Sequence, residues 1–144
     1  MSLEEALPLI EATIAAGAAF HFYQRGTSML PMLREGIDSV SIVSPDVRKP
    51  DIGEVILYRR KSGSFILHRI VKKDKDGSFV CCGDNQTVLE HGVAFESVIG
   101  VLDGYYKGEN WIPADDHEYQ KYVKRRMRFA WFRYFKEVLR KIIC

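Results

Sequence analysis

Cysteine is scarce in this sequence, and long apolar runs are missing. Three cysteines among 144 residues, two of them adjacent as Cys81 and Cys82, cannot build a disulfide framework. The count is odd, and neighbouring residues bridge only under strain. A reducing, cytoplasmic setting is expected. The longest apolar stretch near the N-terminus, ATIAAGAAF at 12–20, falls short of the roughly 20 residues needed to span a bilayer. Acidic Glu4, Glu5 and Glu11 precede or punctuate it where a signal peptide would carry basic residues, so neither a signal peptide nor a membrane span is expected. Zinc-type Cys/His spacing, a phosphate-cradling glycine loop and a dinucleotide fingerprint are all absent, and no metal or cofactor is implied. Internal repeats and low-complexity segments are also missing.

What is present suits one domain with a real core. The formal charge of +2 hides an asymmetry. From Glu118 to Cys144 nine Lys/Arg face two Glu, a net +7, which leaves 12 basic against 17 acidic residues, or −5, in the remainder. Residues 1–115 therefore read as the body, and 116–144 as a separate basic amphipathic segment.

Ser2 and Glu5 in SLEEALPLIEATIAAG form a capping-box pattern, and Gly17 is a plausible stop, which predicts a short helix with Pro8 disturbing its first turns. From about 37 to 112 the period changes to two: Val40 and Ile42 share a face, and EVILYRR, SFILHRIV, SFVCC and SVIGVLDGYY follow. These are predicted strands. KKDKDG carries Asp-Gly where a hairpin turn favours it, and VSPDVRKPDIG reads as a loop. Beyond Asp116, apolar residues at 119, 122, 123, 127, 130, 131, 134, 138 and 142 follow helical spacing with Lys and Arg between them.

The stretch RGTSMLPMLREG, residues 25–36, sets Ser28 between a glycine turn and a pair of methionines. A serine hydroxyl is a poor nucleophile at neutral pH and needs a base in hydrogen-bond reach, with donors for the developing oxyanion. Among the four histidines, His68 lies inside FILHRIV, where alternation puts it with Ile66 and Ile70 while Leu67, Arg69 and Val71 take the other face. By itself His68 also fits a core histidine bonded to a backbone carbonyl, and Ser28 a turn serine. Lys72 shares the parity of His68 but lies four strand residues away, about 13 Å. Lys61, His91 and His117 read as solvated.

GTSMLPMLREG, KPDIGEVILYRR, LHRIV and CGDNQ, in that order, resemble the signal peptidase I and LexA-repressor superfamily of serine peptidases. The pattern there is a Ser-Met-x-Pro nucleophile turn, a Gly-Asp-type strand entry, a base-bearing strand and a Gly-Asp-Asn segment. The likeness covers roughly residues 25–104, about half the chain, and HRIV resembles the histidine branch of the endoplasmic-reticulum and archaeal signal peptidases. It implies Ser28 as nucleophile, His68 as general base and Asp84 in the acidic set that steadies the imidazole. Many signal peptidases have a serine where this chain has Gly26, so the oxyanion would rest on backbone N–H groups around Gly26 and Thr27. The spanning helix of the membrane enzymes is not expected, and with 24 residues before the motif neither is the helix-turn-helix of a LexA-type repressor.

The expected fold is therefore α+β, mainly β: a curled antiparallel β-body of signal-peptidase/LexA type with N-terminal and C-terminal helices. The expected function is a serine peptidase cleaving an extended peptide or protein substrate, with Met29, Leu30 and Met32 lining its cleft or else packing in the core. The alternative is a non-catalytic peptide-binding or regulatory module that keeps the fold. The basic segment is read either as a peripheral contact with an anionic membrane surface or as a helix packed on the body by its aromatic face. Nucleic acid is disfavoured, because the basic residues sit on one terminal segment of an otherwise acidic chain.

Overall fold

The computed structural model describes residues 2–143. The chain opens with helix α1, Leu3–Ala15. Ser2 Oγ accepts from Glu5 N (3.2 Å) while Glu5 Oε2 accepts from Ser2 N (3.0 Å), the reciprocal cap expected from the sequence. Gly17, at φ +83°, takes the left-handed position that stops the helix at little steric cost. Pro8 stays within it: the lost backbone donor lies on the exposed side, where water can serve the freed carbonyl. Ala6, Ile10 and Ile14, four apart, form the buried stripe.

Eight strands follow: β1 Phe20–Tyr23, β2 Ser39–Val43, β3 Val55–Arg59, β4 Phe65–Lys73, β5 Phe79–Cys82, β6 Glu90–Val93, β7 Val98–Lys107 and β8 Asn110–Pro113. All pair antiparallel in the order β1-β2-β7-β3-β4-β5-β6, with β8 added to β7. The fold is α+β, one antiparallel sheet preceded and followed in the chain by a helix. Register shifts interrupt the β2/β7, β3/β7, β4/β5 and β5/β6 ladders, and such bulges bend and twist a sheet. The KKDKDG segment turns at Gly77, φ +87°, between β4 and β5.

Two apolar clusters lie on the two faces. The larger joins α1 to Val40, Ile42, Val55, Leu57, Leu67 and Leu102. The smaller holds Ile56, Tyr58, Ile70, Phe79, Cys81 and Val101. Strand β4 alternates between them as its sequence requires: Leu67 and Arg69 face one way, His68 and Ile70 the other. The alternation ends at the bulge between Ile70 and Lys72, after which Val71 and Lys72 both line the groove beside the C-terminal helix. Lys72 therefore loses the parity with His68 that simple alternation assigns, and its Nζ meets the hydroxyl and ring of Tyr134.

Helix α2, His117–Ile143, is about 40 Å long at 1.5 Å per residue. Asp116 caps it, its Oδ2 accepting from Tyr119 N (3.0 Å). A division at 115/116 falls at this start, yet Tyr119 and Val123 are buried in the larger core, so the first half of α2 belongs to the body. No helix among the described residues is long and apolar enough to cross a membrane. Cys81 and Cys82 are buried and unbridged, and Cys144 lies outside the described residues.

Candidate active site

The apolar residues of RGTSMLPMLREG explain where its serine points. Met29 and Leu33 are fully buried and Met32 nearly so, each side chain contributing about 1.5–3 kcal/mol by leaving water. They pull the turn onto the core and leave Ser28 half-buried above it. Met29 and Met32 thus pack in the core instead of flooring a cleft, and half-buried Leu30 does not line the cavity described below.

The turn is held from two sides. Below, fully buried Asp38 accepts from Arg34 N (2.7 Å), the Arg34 guanidinium (2.9 and 3.0 Å) and Gly108 N (2.7 Å). Burial opposes its ionisation, but these donors and Lys107 together hold its carboxyl well below the usual carboxylate range. Lys107 Nζ also donates to the carbonyls of Pro31 (2.8 Å) and Met32 (2.9 Å). On the other side, Asn85 N donates to Ser28 O (2.9 Å) and Asn85 Nδ2 to Thr27 O (3.1 Å). A Cβ at Gly83 would lie 2.6 Å from Ser28 O, so only glycine permits this approach. Gly83 and Asn85, quoted in the sequence motif but given no role there, both touch the serine turn.

Asp84 does otherwise. Both its oxygens pair with the Arg69 guanidinium at 2.9 Å, and Oδ2 also accepts from Tyr122 Oη of α2 (2.7 Å). Arg69, fully buried, additionally donates to Gly53 O (2.7 Å) and Tyr119 Oη (3.3 Å). Among the described residues no hydrogen bond joins Asp84 to His68. The carboxylate expected to steady the imidazole instead neutralises a buried guanidinium, because Arg69, on the opposite face of β4 from His68, would otherwise carry an unpaired charge into the core. The effect is still felt by Ser28: the Arg69–Asp84 pair anchors the segment whose flanking residues hold its turn.

His68 pairs with Ile56 across β3 and sets its ring edge-on to Tyr58, centroids 6.4 Å apart. It is 5% exposed. Burial, assisted by the Arg60 guanidinium and opposed by Glu90 and Asp84, pushes its pKa from 6.5 down to about 4. The imidazole is therefore neutral at physiological pH. Among the described residues its Nδ1 is sealed from solvent without a hydrogen-bond partner, and the ring borders open space.

That space is a cavity of about 400 Å³ whose walls include Ser28, His68, Phe22, Phe65, Leu3 and Arg25. Residues from α1, β1, the serine turn and β4 meet there. A second cavity of about 610 Å³, on which Arg60, Asn85 and Glu90 open, also borders His68. Glu90 is occupied by Tyr58 Oη (2.6 Å) and Arg60 (2.9 Å). Gly26, at φ +77°, and Thr27 are exposed beside Ser28. The remaining candidates lie elsewhere: Lys61 and His117 are exposed, and His91 joins Asp74 and Glu137 at 3.2 Å each, bonded where solvation was expected. No group of three or more His, Cys, Asp or Glu among the described residues is arranged to hold a metal. The arrangement puts the Ser28 hydroxyl and the His68 ring on the wall of one cavity, with no hydrogen bond between them among the described residues; acyl transfer needs the two to come within hydrogen-bond reach when a substrate is bound. Compared with known proteins, the chain matches no family model and no curated protein.

Proposed function

We propose that this protein is a serine peptidase whose fold is of the signal-peptidase/LexA type, with Ser28 as nucleophile and His68 as general base. The observation that supports the reading is that these two residues, forty positions apart in the sequence, line one cavity while His68 is kept neutral. In the reaction, His68 Nε2 takes the proton of Ser28 Oγ as that oxygen adds to the scissile carbonyl carbon. The carbonyl oxygen becomes an oxyanion held by backbone N–H groups around Gly26, Thr27 and Ser28. Collapse breaks the C–N bond, and His68 returns the proton to the departing amine. Water, deprotonated by the same ring, then releases the acyl group from Ser28.

Strand β1 has a neighbour on one side only, and its Phe22 and Tyr23 line the cavity, so an extended peptide can add along this edge. Phe22, Phe65 and Leu3 then take the side-chain recognition that one of the two sequence readings gave to Met29, Leu30 and Met32. Asp84 acts at one remove, by fixing the Gly83–Asn85 segment. A second reading, a peptide-binding module without catalysis, has one observation in its favour: Nδ1 of His68 has no acidic partner. Labelling with a fluorophosphonate probe separates the two. The peptidase reading expects one adduct, located on Ser28 by mass spectrometry and lost in His68→Gln; an unlabelled folded protein supports the binding module.

A further inference from the structure

The inner side of α2 is satisfied. Tyr119, Val123 and Ala130 are buried against the body, and Tyr122 reaches Asp84. Its outer side is not: Trp131 is 66% exposed, Phe132 53%, Phe135 46% and Ile142 74%, with Leu139 and Ile143 also open. At 100° per residue, Trp131, Phe135, Leu139 and Ile142, spaced by four, four and three, fall on one stripe, and Phe132 and Ile143 widen it. Trp131, Phe132 and Phe135 therefore stay largely exposed, whereas Tyr119, Tyr122 and Tyr134 meet the body, a division the sequence left open. An apolar groove of about 720 Å³, lined by Ile52, Val71, Val80, Met127 and Tyr134, opens beside Trp131 and extends the same surface toward the body.

Charge decides what covers this face. The stretch from Glu118 to Cys144 carries +7. By helical position Arg125, Lys136 and Arg140 border the stripe, and Lys136 Nζ lies 4.8 Å from the Phe132 ring centre. A second copy of the helix would bring an equal positive charge against this one. An anionic bilayer instead offers negative headgroups to the border and hydrocarbon to the stripe. We infer that the outer face of α2 docks in the plane of a membrane containing anionic lipid, while its inner face keeps hold of the catalytic body.

The test uses the full chain carrying Trp111→Phe, so that Trp131 is its sole tryptophan. It is mixed with vesicles of phosphatidylcholine alone, or of one part phosphatidylglycerol to two parts phosphatidylcholine. At about 0.1 M salt the protein should sediment with the mixed vesicles and the Trp131 emission should shift to the blue; at about 0.5 M, where screening acts beyond about 4 Å, most binding should vanish. Neutral vesicles should retain far less. Lys136→Gln with Arg140→Gln should weaken binding about 25-fold, at roughly fivefold for each basic residue lost. Phe135→Ser with Leu139→Ser, both at exposed positions, should abolish the emission shift with unchanged circular dichroism. Three results overturn the inference: no sedimentation with anionic vesicles at low salt, association competed away by tRNA with no shift of Trp131, or a concentration-dependent dimer that Phe135→Ser dissolves in the absence of lipid affinity.

Discussion

Acidification between about pH 7 and pH 5 should destabilise the protein through His68, and the size follows from its burial. The unfolded imidazole has a pKa of 6.5 and the folded one about 4, so over this interval the unfolded chain binds a proton that the folded one refuses. Stability is then fully present above 6.5 and is lost as the pH falls toward 4. At pH 5 the linkage relation gives a loss of about 2 kcal/mol relative to pH 7, approaching about 3 kcal/mol below pH 4 at 1.4 kcal/mol per pH unit. The carboxylates held low by partners, Asp38 and Glu90, start from 3.8 and 4.5 and add their own losses at lower pH. Urea midpoints of the wild type and of His68→Gln, measured at several pH values, isolate the imidazole between pH 7 and 5, because groups not coupled to it cancel in the difference and the carboxylates coupled to it titrate mainly at lower pH. The gap between the two curves should change by about 2 kcal/mol, roughly 1 M in midpoint for a chain of this size. A gap that stays constant from pH 7 to 5 would show that His68 titrates in the folded state as it does in water, and the neutral buried imidazole would have to be abandoned.

Three further outcomes follow from the same geometry. Ser28→Ala should abolish turnover yet move stability by no more than about 1 kcal/mol, since a half-exposed turn hydroxyl contributes little net; matched thermal melts check it. Gly83→Ala forces a Cβ to within 2.6 Å of Ser28 O and should displace the serine turn. A shift of about 1 Å at the proposed nucleophile would lower kcat/KM about 100-fold, and a variant of wild-type activity would dissociate that segment from the site. Arg69→Met leaves Asp84 buried without its cation and should cost about 3–5 kcal/mol in chemical denaturation; a loss below 1 kcal/mol would mean that the pair does not anchor the Gly83–Asn85 segment.

Some of this could be read from residue patterns because the physics is local. Ser2 and Glu5 cap one helix end, Gly17 stops the other, and the two-residue period of FILHRIV assigns His68 and Arg69 to opposite faces. EHGV of β6 and NWIP of β8 lack the apolar run that SFVCC offers for the equally short β5, and FHFY of β1 follows an apolar helix that masks it. The partner of Asp84 depended on a distance that spacing does not carry: the carboxylate is fifteen residues from Arg69 and sixteen from His68, and which it serves is decided by the face of β4 turned toward it. A fully buried arginine does demand an anion, and that demand could have been seen in the parity of Arg69. Methionines in a turn are ambiguous for a related reason, since Met29 and Met32 suit a cleft floor or a core equally until the position of the turn over the sheet is known. Bulges are silent in composition, and the one after Ile70 is what carries Lys72 to α2.

The proposal that Ser28 and His68 act together on a peptide bond is tested most directly by digestion of a diverse, proteome-derived peptide mixture. New termini would be counted by mass spectrometry for the wild type, Ser28→Ala and His68→Gln under identical conditions. The account predicts a consistent set of cleavages by the wild type that disappears in both variants while their circular dichroism is unchanged. Cleavages that persist in Ser28→Ala, or a well-folded wild type that generates none, would contradict it.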